Sequence, residues 1–191
     1  MTIYEIEAES NNGNFTYATL VFSNDLNETD NDCSFKGIRQ GTEWISPEFE
    51  WQFDDTSGKA REKANFSHVF AGGINIAADQ TAKEALSLEF GEDIEFLPMN
   101  IKDENEDWFL INIVNDIPEA LSLEHSKFKM RSNGTFGRLL KAVFDSSKIP
   151  EDRPFVYPQW VNAFMFKGEK LKTVLSEKKM TGVTLDEHES V

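Results

Sequence analysis

The sequence is poor in the residues that build metal sites and disulfides. It has one cysteine, Cys33, and three histidines, His68, His125 and His188. A single cysteine excludes a disulfide within the chain and a zinc site made of several thiolates. None of the histidines has another histidine three or four residues away, as a helical metal site would require. We therefore expect neither a metal nor an organic cofactor, and a protein suited to the reducing cytoplasm.

The sequence also lacks the signals of export, membrane insertion and common catalytic sites. Its first ten residues have no basic region followed by an apolar stretch, so no signal peptide is expected. No apolar run approaches the roughly 20 residues of a membrane-spanning helix. Phosphate-binding glycine loops and the serine-hydrolase elbow motif are absent. A binding protein is the favoured class; the alternative is a hydrolase or transferase in which Glu95 or Asp116 acts with His125.

Basic residues are scarce and unevenly placed. The chain has 34 acidic and 19 basic residues, for a net charge of −15. Residues 1–116 carry −17 of this charge, whereas residues 117–191 carry +2. Such a balance argues against nucleic acid or an anionic membrane as the partner. Solubility explains it most simply, and the alternative is a negative surface that steers a basic protein partner.

Aromatic residues are plentiful, and the stretch 94–115 organises them into a predicted hairpin. The chain has 16 Phe and 4 Trp, enough for a sizeable core. Two β-rich apolar runs enclose the polar run 103–107, which is typical of an antiparallel hairpin with an acidic tip in water. The second run, 108–114, is almost continuously apolar, which predicts a strand buried on both faces. Pro98 predicts that the first strand is an edge or is bulged.

The remaining pattern predicts an α+β fold, with a mixed and largely antiparallel sheet in which the hairpin at about 94–115 is central. Apolar spacing predicts helices at about 78–90 and 168–179, each flanked by strands. We assign residues 65–188 to an α+β domain, and residues 1–64 to an acidic strand and loop region of the same domain. Shorter predictions complete the chain. They are strands at 2–8, 15–22, 135–144, 163–166 and 183–185, a helix or loop at 59–65, an irregular segment at 41–58 and a polar tail holding His188.

Several short motifs occur in an order typical of one protein family. They are Glu95-Phe96-Leu97-Pro98, the strand Trp108–Val114, Ser126, and Met180-Thr181-Gly182-Val183-Thr184-Leu185. Together these motifs resemble the bacterial polymorphic-toxin immunity proteins of the myxobacterial-type immunity domain, formerly a domain of unknown function. The resemblance covers about residues 65–188. Leu185 stands where the family has Phe, and a proline-rich run precedes Phe164.

The resemblance implies a cytoplasmic protein that binds and neutralises one cognate toxin. Such toxins are delivered by type VI or contact-dependent secretion systems, and the immunity protein inhibits by stoichiometric binding. The motifs are apolar and look like determinants of the fold. They imply no catalytic residues, and they leave the toxin's chemistry and any self-association open.

The candidate partner-binding residues combine carboxylates with tryptophans. They are Asp103, Glu104, Glu106, Asp107, Trp44 and Trp51. The four carboxylates share the hairpin tip, where the sequence shows no basic neighbour except Lys102. We expect them to repel one another, to meet a basic toxin surface, and to be replaceable together without loss of folding. Tryptophans are frequent hot spots when exposed, whereas Trp108 is predicted to be core.

Overall fold

In a computed structural model, strands make up most of the regular structure, and two α-helices interrupt their succession along the chain. The structure describes residues 2–9, 16–17, 19–22, 33, 35, 37–52, 61–70, 74–157 and 161–191. The two α-helices in these ranges are α1 (Gln80–Phe90) and α2 (Lys170–Glu177). The strands are β1 (Ile3–Ala8), β2 (Thr16–Tyr17), β3 (Thr19–Phe22), β4 (Glu48–Gln52), β5 (Arg61–Glu62), β6 (Phe66–Phe70), β7 (Ile74–Asp79), β8 (Ile94–Pro98), β9 (Asn100–Ile101), β10 (Trp108–Ile113), β11 (Lys127–Met130), β12 (Phe136–Lys141), β13 (Val143–Phe144), β14 (Pro154–Tyr157), β15 (Val161–Lys167) and β16 (Val183–Ser190). Within the described part, neither helix is long and apolar enough to span a bilayer.

Two large sheets carry most of these strands. The seven-stranded sheet has the order β8-β10-β7-β6-β3-β4-β9, and the five-stranded sheet has the order β13-β16-β1-β15-β14. Most neighbouring strands are antiparallel, while β3–β6, β4–β9 and β13–β16 are parallel. The predicted α+β class, with a mixed and largely antiparallel sheet, is confirmed.

The predicted hairpin is present and sits at one side of the seven-stranded sheet. β8 and β10 pair antiparallel from Ile94 opposite Ile113 to Pro98 opposite Phe109. All six residues of β10 are buried, as its continuous apolar run predicts. β8 is one of the two edge strands of this sheet, where the missing N–H of Pro98 breaks no ladder.

Each large sheet contains the same strand–helix–strand unit with a third strand inserted. β7, α1 and β8 form one unit, and β10 lies between its two strands. β15, α2 and β16 form the other, and β1 lies between them, antiparallel to both. The helices confirm the predictions at 78–90 and 168–179. Asp79 begins α1 as its cap, because a side-chain oxygen accepts from the N–H of Ala82 at 2.7 Å.

Three apolar clusters alternate with the two sheets. The central cluster joins one face of each sheet to both helices, through residues such as Ile111, Phe164, Leu86 and Leu171. The tryptophan cluster covers the other face of the seven-stranded sheet. Its buried members are Cys33, Phe49, Val69, Ala77, Leu97, Ile101, Trp108 and Leu110. The Phe144 cluster covers the other face of the five-stranded sheet. Its buried members are Ile3, Ile117, Ala120, Leu121, Phe144, Ile149, Phe155, Tyr157, Ala163 and Met165.

The prediction of an irregular segment at 41–58 is wrong for its middle. β4 lies there, antiparallel to β3 and parallel to β9. Only Phe49 of β4 is fully buried, and glutamates alternate with the aromatic residues, so the short strand resembles a polar loop in sequence. Residues 53–58 lie outside the described residues. At 59–65, which we predicted to be a helix or loop, the described part contains the short strand β5, paired with β2.

The predicted polar tail after residue 185 is also wrong. β16 continues to Ser190, and six of its eight residues, from Val183 to His188, pair with β1. Its charged residues point outwards from a sheet whose other face is packed, so the strand carries few apolar residues. His188 is therefore inside the sheet. Its Nε2 lies 2.7 Å from a carboxylate oxygen of Glu5, and its ring packs edge-on against Phe144.

Candidate functional site

Glu104 anchors the acidic tip of the β8–β10 hairpin to the body of the protein. Its side chain is only 6% exposed and forms an ion pair with Lys63. One carboxylate oxygen accepts the indole N–H of Trp51 at 2.7 Å. The other accepts two backbone N–H groups of its own loop, from Asn105 at 2.9 Å and Glu106 at 3.1 Å. The carboxylate therefore fixes the tip's backbone and links it to β4.

The expectation that the tip has no basic neighbour except Lys102 is wrong. Lys63 reaches both Glu104 and, at 3.7 Å, Glu106. Its ammonium also lies 5.6 Å from the centre of the Trp51 ring. Lys63 precedes Glu104 by 41 residues, so only the tertiary structure brings them together. Replacing all four acids would therefore not leave folding untouched, because one of them is a buried partner of a lysine.

The surroundings of Glu104 hold it in the ionised form. Burial by itself would raise the pKa of the Glu104 carboxyl. The Lys63 ammonium, the loop N–H groups and the Trp51 indole outweigh burial and lower this pKa to about 2. The charge is thus part of the folded structure at any pH near neutrality.

The other three acids of the tip are available to a partner. Asp103, Glu106 and Asp107 are exposed. Their loop is braced, because the N–H of Lys102 donates to the carbonyl of Phe49 at 2.8 Å. Asp103, in the left-handed region at φ 57°, lines a groove of about 380 Å³ beside Trp51. Three carboxylates are therefore presented in a fixed geometry next to a half-buried indole.

The two candidate tryptophans flank this tip on the outer side of the tryptophan cluster. Trp51 packs edge-on against Trp108, with ring centres 5.0 Å apart. Trp44 donates its indole N–H to the carbonyl of Pro98 at 2.8 Å and lines a separate groove of about 410 Å³. Both are half-buried, whereas Trp108 is 2% exposed, which confirms the prediction that it is core. The structure thus brings the six predicted residues to one side of one sheet.

Glu95 positions the segment that carries Trp44. Its buried carboxylate accepts the backbone N–H groups of Gln40 at 2.9 Å and Gly41 at 2.7 Å. The side-chain amide of Asn112 donates to it at 2.8 Å. Burial raises the pKa of Glu95, but these donors outweigh burial and lower it. A carboxylate held in this way is an anchor, and its low proton affinity suits it poorly to acid–base catalysis.

The structure does not join the carboxylates of the predicted alternative site to its histidine. His125 has its described contact with Ser122, whose hydroxyl lies 2.9 Å from Nδ1. Asp116 instead forms a backbone bridge with Val156. Burial raises the pKa of the Asp116 carboxyl, and the negative charge of Glu119 raises it further. In the described ranges, neither Glu95 nor Asp116 is a contact of the His125 ring.

The Ser122–His125 pair was missed by sequence reasoning, although the spacing of three residues was a usable signal. It lies in a groove of about 580 Å³ that Tyr157 and Asp145 also line. Nucleophilic catalysis would need a third group to orient the imidazole. Asp145 accepts instead from Ser147 at 2.6 Å and forms an ion pair with Lys148 at 3.2 Å. Within the described part, the pair has no orienting carboxylate.

The family-like motifs serve the fold. Ser126 exchanges hydrogen bonds with the backbone of Val143, accepting at 3.0 Å and donating at 3.2 Å. Gly182 adopts φ +85°, and a Cβ there would come within 2.2 Å of the carbonyl oxygen of Phe66. This close approach joins the two sheets and admits only glycine.

Comparisons with known proteins give no assignment. No family profile matches the sequence, and no significantly similar curated protein was found. The likeness to immunity proteins stays a prediction from the motifs. In the described ranges, no group of three or more His, Cys, Asp or Glu side chains is arranged to hold a metal ion.

Proposed function

We propose that this protein is a bacterial immunity protein that neutralises a basic toxin by stoichiometric binding. The observation that carries the proposal is the braced acidic tip. Asp103, Glu106 and Asp107 are exposed on a loop fixed by Glu104, and the half-buried indoles of Trp51 and Trp44 lie on the same side. The resemblance of residues 65–188 to immunity domains supports the same function and a cytoplasmic location.

The arrangement combines the two features that a tight inhibitor needs. Exposed carboxylates at the rim of an interface accelerate association with a basic partner. Large aromatic rings supply binding energy where they become covered. Because the loop is already fixed by hydrogen bonds, little conformational entropy is lost on binding. A standard interface of about 1,600 Å² would cover both the tip and the two grooves.

The alternative function is a hydrolase, and one observation favours it. Ser122 and His125 form a hydrogen-bonded pair in the groove near Asp145. An enzyme of this kind would hydrolyse an activated ester, and replacement of His125 by Ala would abolish that activity. Equal activity of the protein and the H125A variant, or none in either, would exclude this site.

Binding to the product of the adjacent reading frame tests the immunity function. We expect that product to be a toxin that co-purifies with this protein in a fixed ratio and arrests growth when expressed alone. The variant Asp103→Asn, Glu106→Gln, Asp107→Asn should retain less toxin. A control with Glu151, Glu177 and Glu187 changed to Gln removes the same charge from other exposed positions. Failure to bind, or equal loss in both variants, would contradict the proposal.

A further inference from the structure

The hairpin formed by β11 and β12 has a charge opposite to that of the rest of the protein. Residues 127–141 contain five basic residues and no acid, which gives +5. Because the whole chain has −15, the remainder carries −20. The bases are Lys127, Lys129, Arg131, Arg138 and Lys141, and all five are exposed.

Four of these five bases have no acidic partner in the described part of the chain. Lys141 forms an ion pair with Glu189 at 2.5 Å. Lys127 faces Lys141 directly across the strand pair, where like charges destabilise a sheet. Stability of the hairpin therefore does not account for this concentration of positive charge.

Apolar side chains accompany the charges and extend beyond the area that the body covers. Phe128 and Leu139 pack against the Phe144 cluster at the base of the hairpin. Towards its tip, Met130 is 51% exposed and Phe136 is 41% exposed, and on β12 Leu140 is 61% exposed. Exposed apolar residues grouped beside charges are typical of a protein interface.

The shape of the hairpin is specified by a close backbone approach. A Cβ on Gly137 would lie 2.3 Å from the carbonyl oxygen of Lys129, so only glycine fits at this irregularity in the pairing. In the described residues the two strands form a sheet of their own. Each strand therefore has an edge that an extended chain could join.

We propose that the β11–β12 hairpin is a second docking surface, which takes an acidic, partly apolar segment of a partner protein. Charge complementarity selects this occupant: the four unpaired bases match carboxylates, and Met130, Phe136 and Leu140 match apolar side chains between them. The negative charge of a nucleic acid or of an anionic membrane extends well beyond the area of the hairpin. Either would also meet the field of the −20 remainder, whereas a short segment would feel mainly charges within about 8 Å. A second copy of the chain, at −15, is repelled in the same way.

This surface is independent of the acidic tip. The tip packs on the tryptophan cluster, the hairpin packs on the Phe144 cluster, and the central cluster separates them. The two surfaces also select partners of opposite charge. Loss of toxin binding and loss of acidic-segment binding are therefore separate results.

Peptide binding tests the proposal. The probe is a fluorescent peptide of about ten residues, the length of a long strand, that alternates Glu with Leu or Phe. A Gln-for-Glu copy is its neutral counterpart. We expect the full chain to bind the acidic peptide, and the variant K129Q/R131Q/R138Q to bind it about tenfold more weakly. M130S/L140S should also weaken binding, because it removes exposed apolar contacts.

A control variant and competing ligands test whether peptide binding is specific to the β11–β12 hairpin. K172Q/K178Q/K179Q removes three exposed lysines of another surface and should bind the acidic peptide as the unchanged protein does. Circular dichroism confirms that each variant is folded. The proposal is overturned if the acidic peptide fails to bind, or if the neutral peptide binds equally well. Tighter binding of a DNA duplex or of anionic vesicles, or a dimer that the hairpin variant abolishes, would overturn it as well.

Discussion

The acidic tip and the basic hairpin are two turns of similar form that manage charge in opposite ways. Each joins antiparallel strands at the surface, and each concentrates charge of one sign. In the tip, Glu104 is buried and bonded to Lys63, Trp51 and its own loop. In the hairpin, four bases have no counter-charge among the described residues, and the apolar side chains near its end are half exposed. The charged side chains of a loop can therefore stabilise the fold, or they can remain exposed without a counter-charge. Only the partners of each side chain distinguish these two cases.

The largest effect that separates the two regions should come from Glu104. Replacing Glu104 by Ala leaves Lys63 without its main partner and frees two loop N–H groups. We expect the free energy of unfolding to fall by about 3 kcal/mol in urea denaturation. The matched change Asp107→Ala, at an exposed acid of the same loop, should cost less than about 0.5 kcal/mol. Equal effects would mean that Glu104 does not anchor the tip.

Acid should reproduce part of this loss. The pKa of Glu104 is about 2 in the folded protein, compared with its ordinary 4.5. A lowered pKa stabilises the fold fully above the unfolded value, and that stabilisation disappears as pH falls from about 5 towards 2. We expect the contribution of Glu104 to the free energy of unfolding to fall by about 2–3 kcal/mol over that pH range. The variant Glu104→Gln should lose less over the same range, and parallel pH profiles for the two proteins would contradict the assignment.

The hairpin should instead be sensitive to backbone shape. Gly137→Ala forces a Cβ against the Lys129 carbonyl, so we expect the pairing of β11 with β12 to weaken by about 1–3 kcal/mol. Amide exchange should accelerate in residues 127–141 with little change in β10. Gly134→Ala, whose Cβ would meet nothing within 4 Å, should have the smaller effect despite its φ of +80°. Global destabilisation by Gly137→Ala would show that the hairpin is part of the core.

The smallest effects should come from a pair of lysines. Lys63→Gln removes an ion pair and a contact with Trp51, and should lower the free energy of unfolding by about 1 kcal/mol. Lys127→Gln removes a base that faces Lys141, and should change the free energy of unfolding by no more than about 0.5 kcal/mol. Urea denaturation at low salt measures both. A larger loss for Lys127→Gln would indicate that it has a structural partner.

The parts of the fold that were predicted from sequence are those with a local signal. The hairpin at 94–115 and both helices have a run or a spacing that is visible within about 20 residues. β4 and the continuation of β16 beyond residue 185 were missed because glutamates and other polar residues alternate with few apolar ones, as in a loop. The basic neighbour of Glu104 was missed because Lys63 is 41 residues away. Long-range pairing sets that contact, and no local pattern encodes it.

The same distinction applies to the candidate site. All six predicted residues lie on one side of the seven-stranded sheet. Trp51 belongs to β4, Trp44 packs on the same tryptophan cluster, and the tip follows β9, which pairs with β4. The sequence could not distinguish the acid that anchors the tip from the acids that face solvent. Glu104 and Asp107 are both acidic residues of the same loop, and the structure distinguishes them by burial. The Ser122–His125 pair was visible as a spacing but carried no motif.

The association rate of the adjacent gene's product tests the central claim most directly. Rates are measured by stopped flow for the unchanged protein and for the variant Asp103→Asn, Glu106→Gln, Asp107→Asn, which retains Glu104. If the three exposed acids steer a basic toxin, the variant should associate about tenfold more slowly at low salt, and the difference should shrink as salt rises. Unfolding in urea should be the same for both proteins. An unchanged association rate at low salt would contradict the account and place the interface away from the acidic tip.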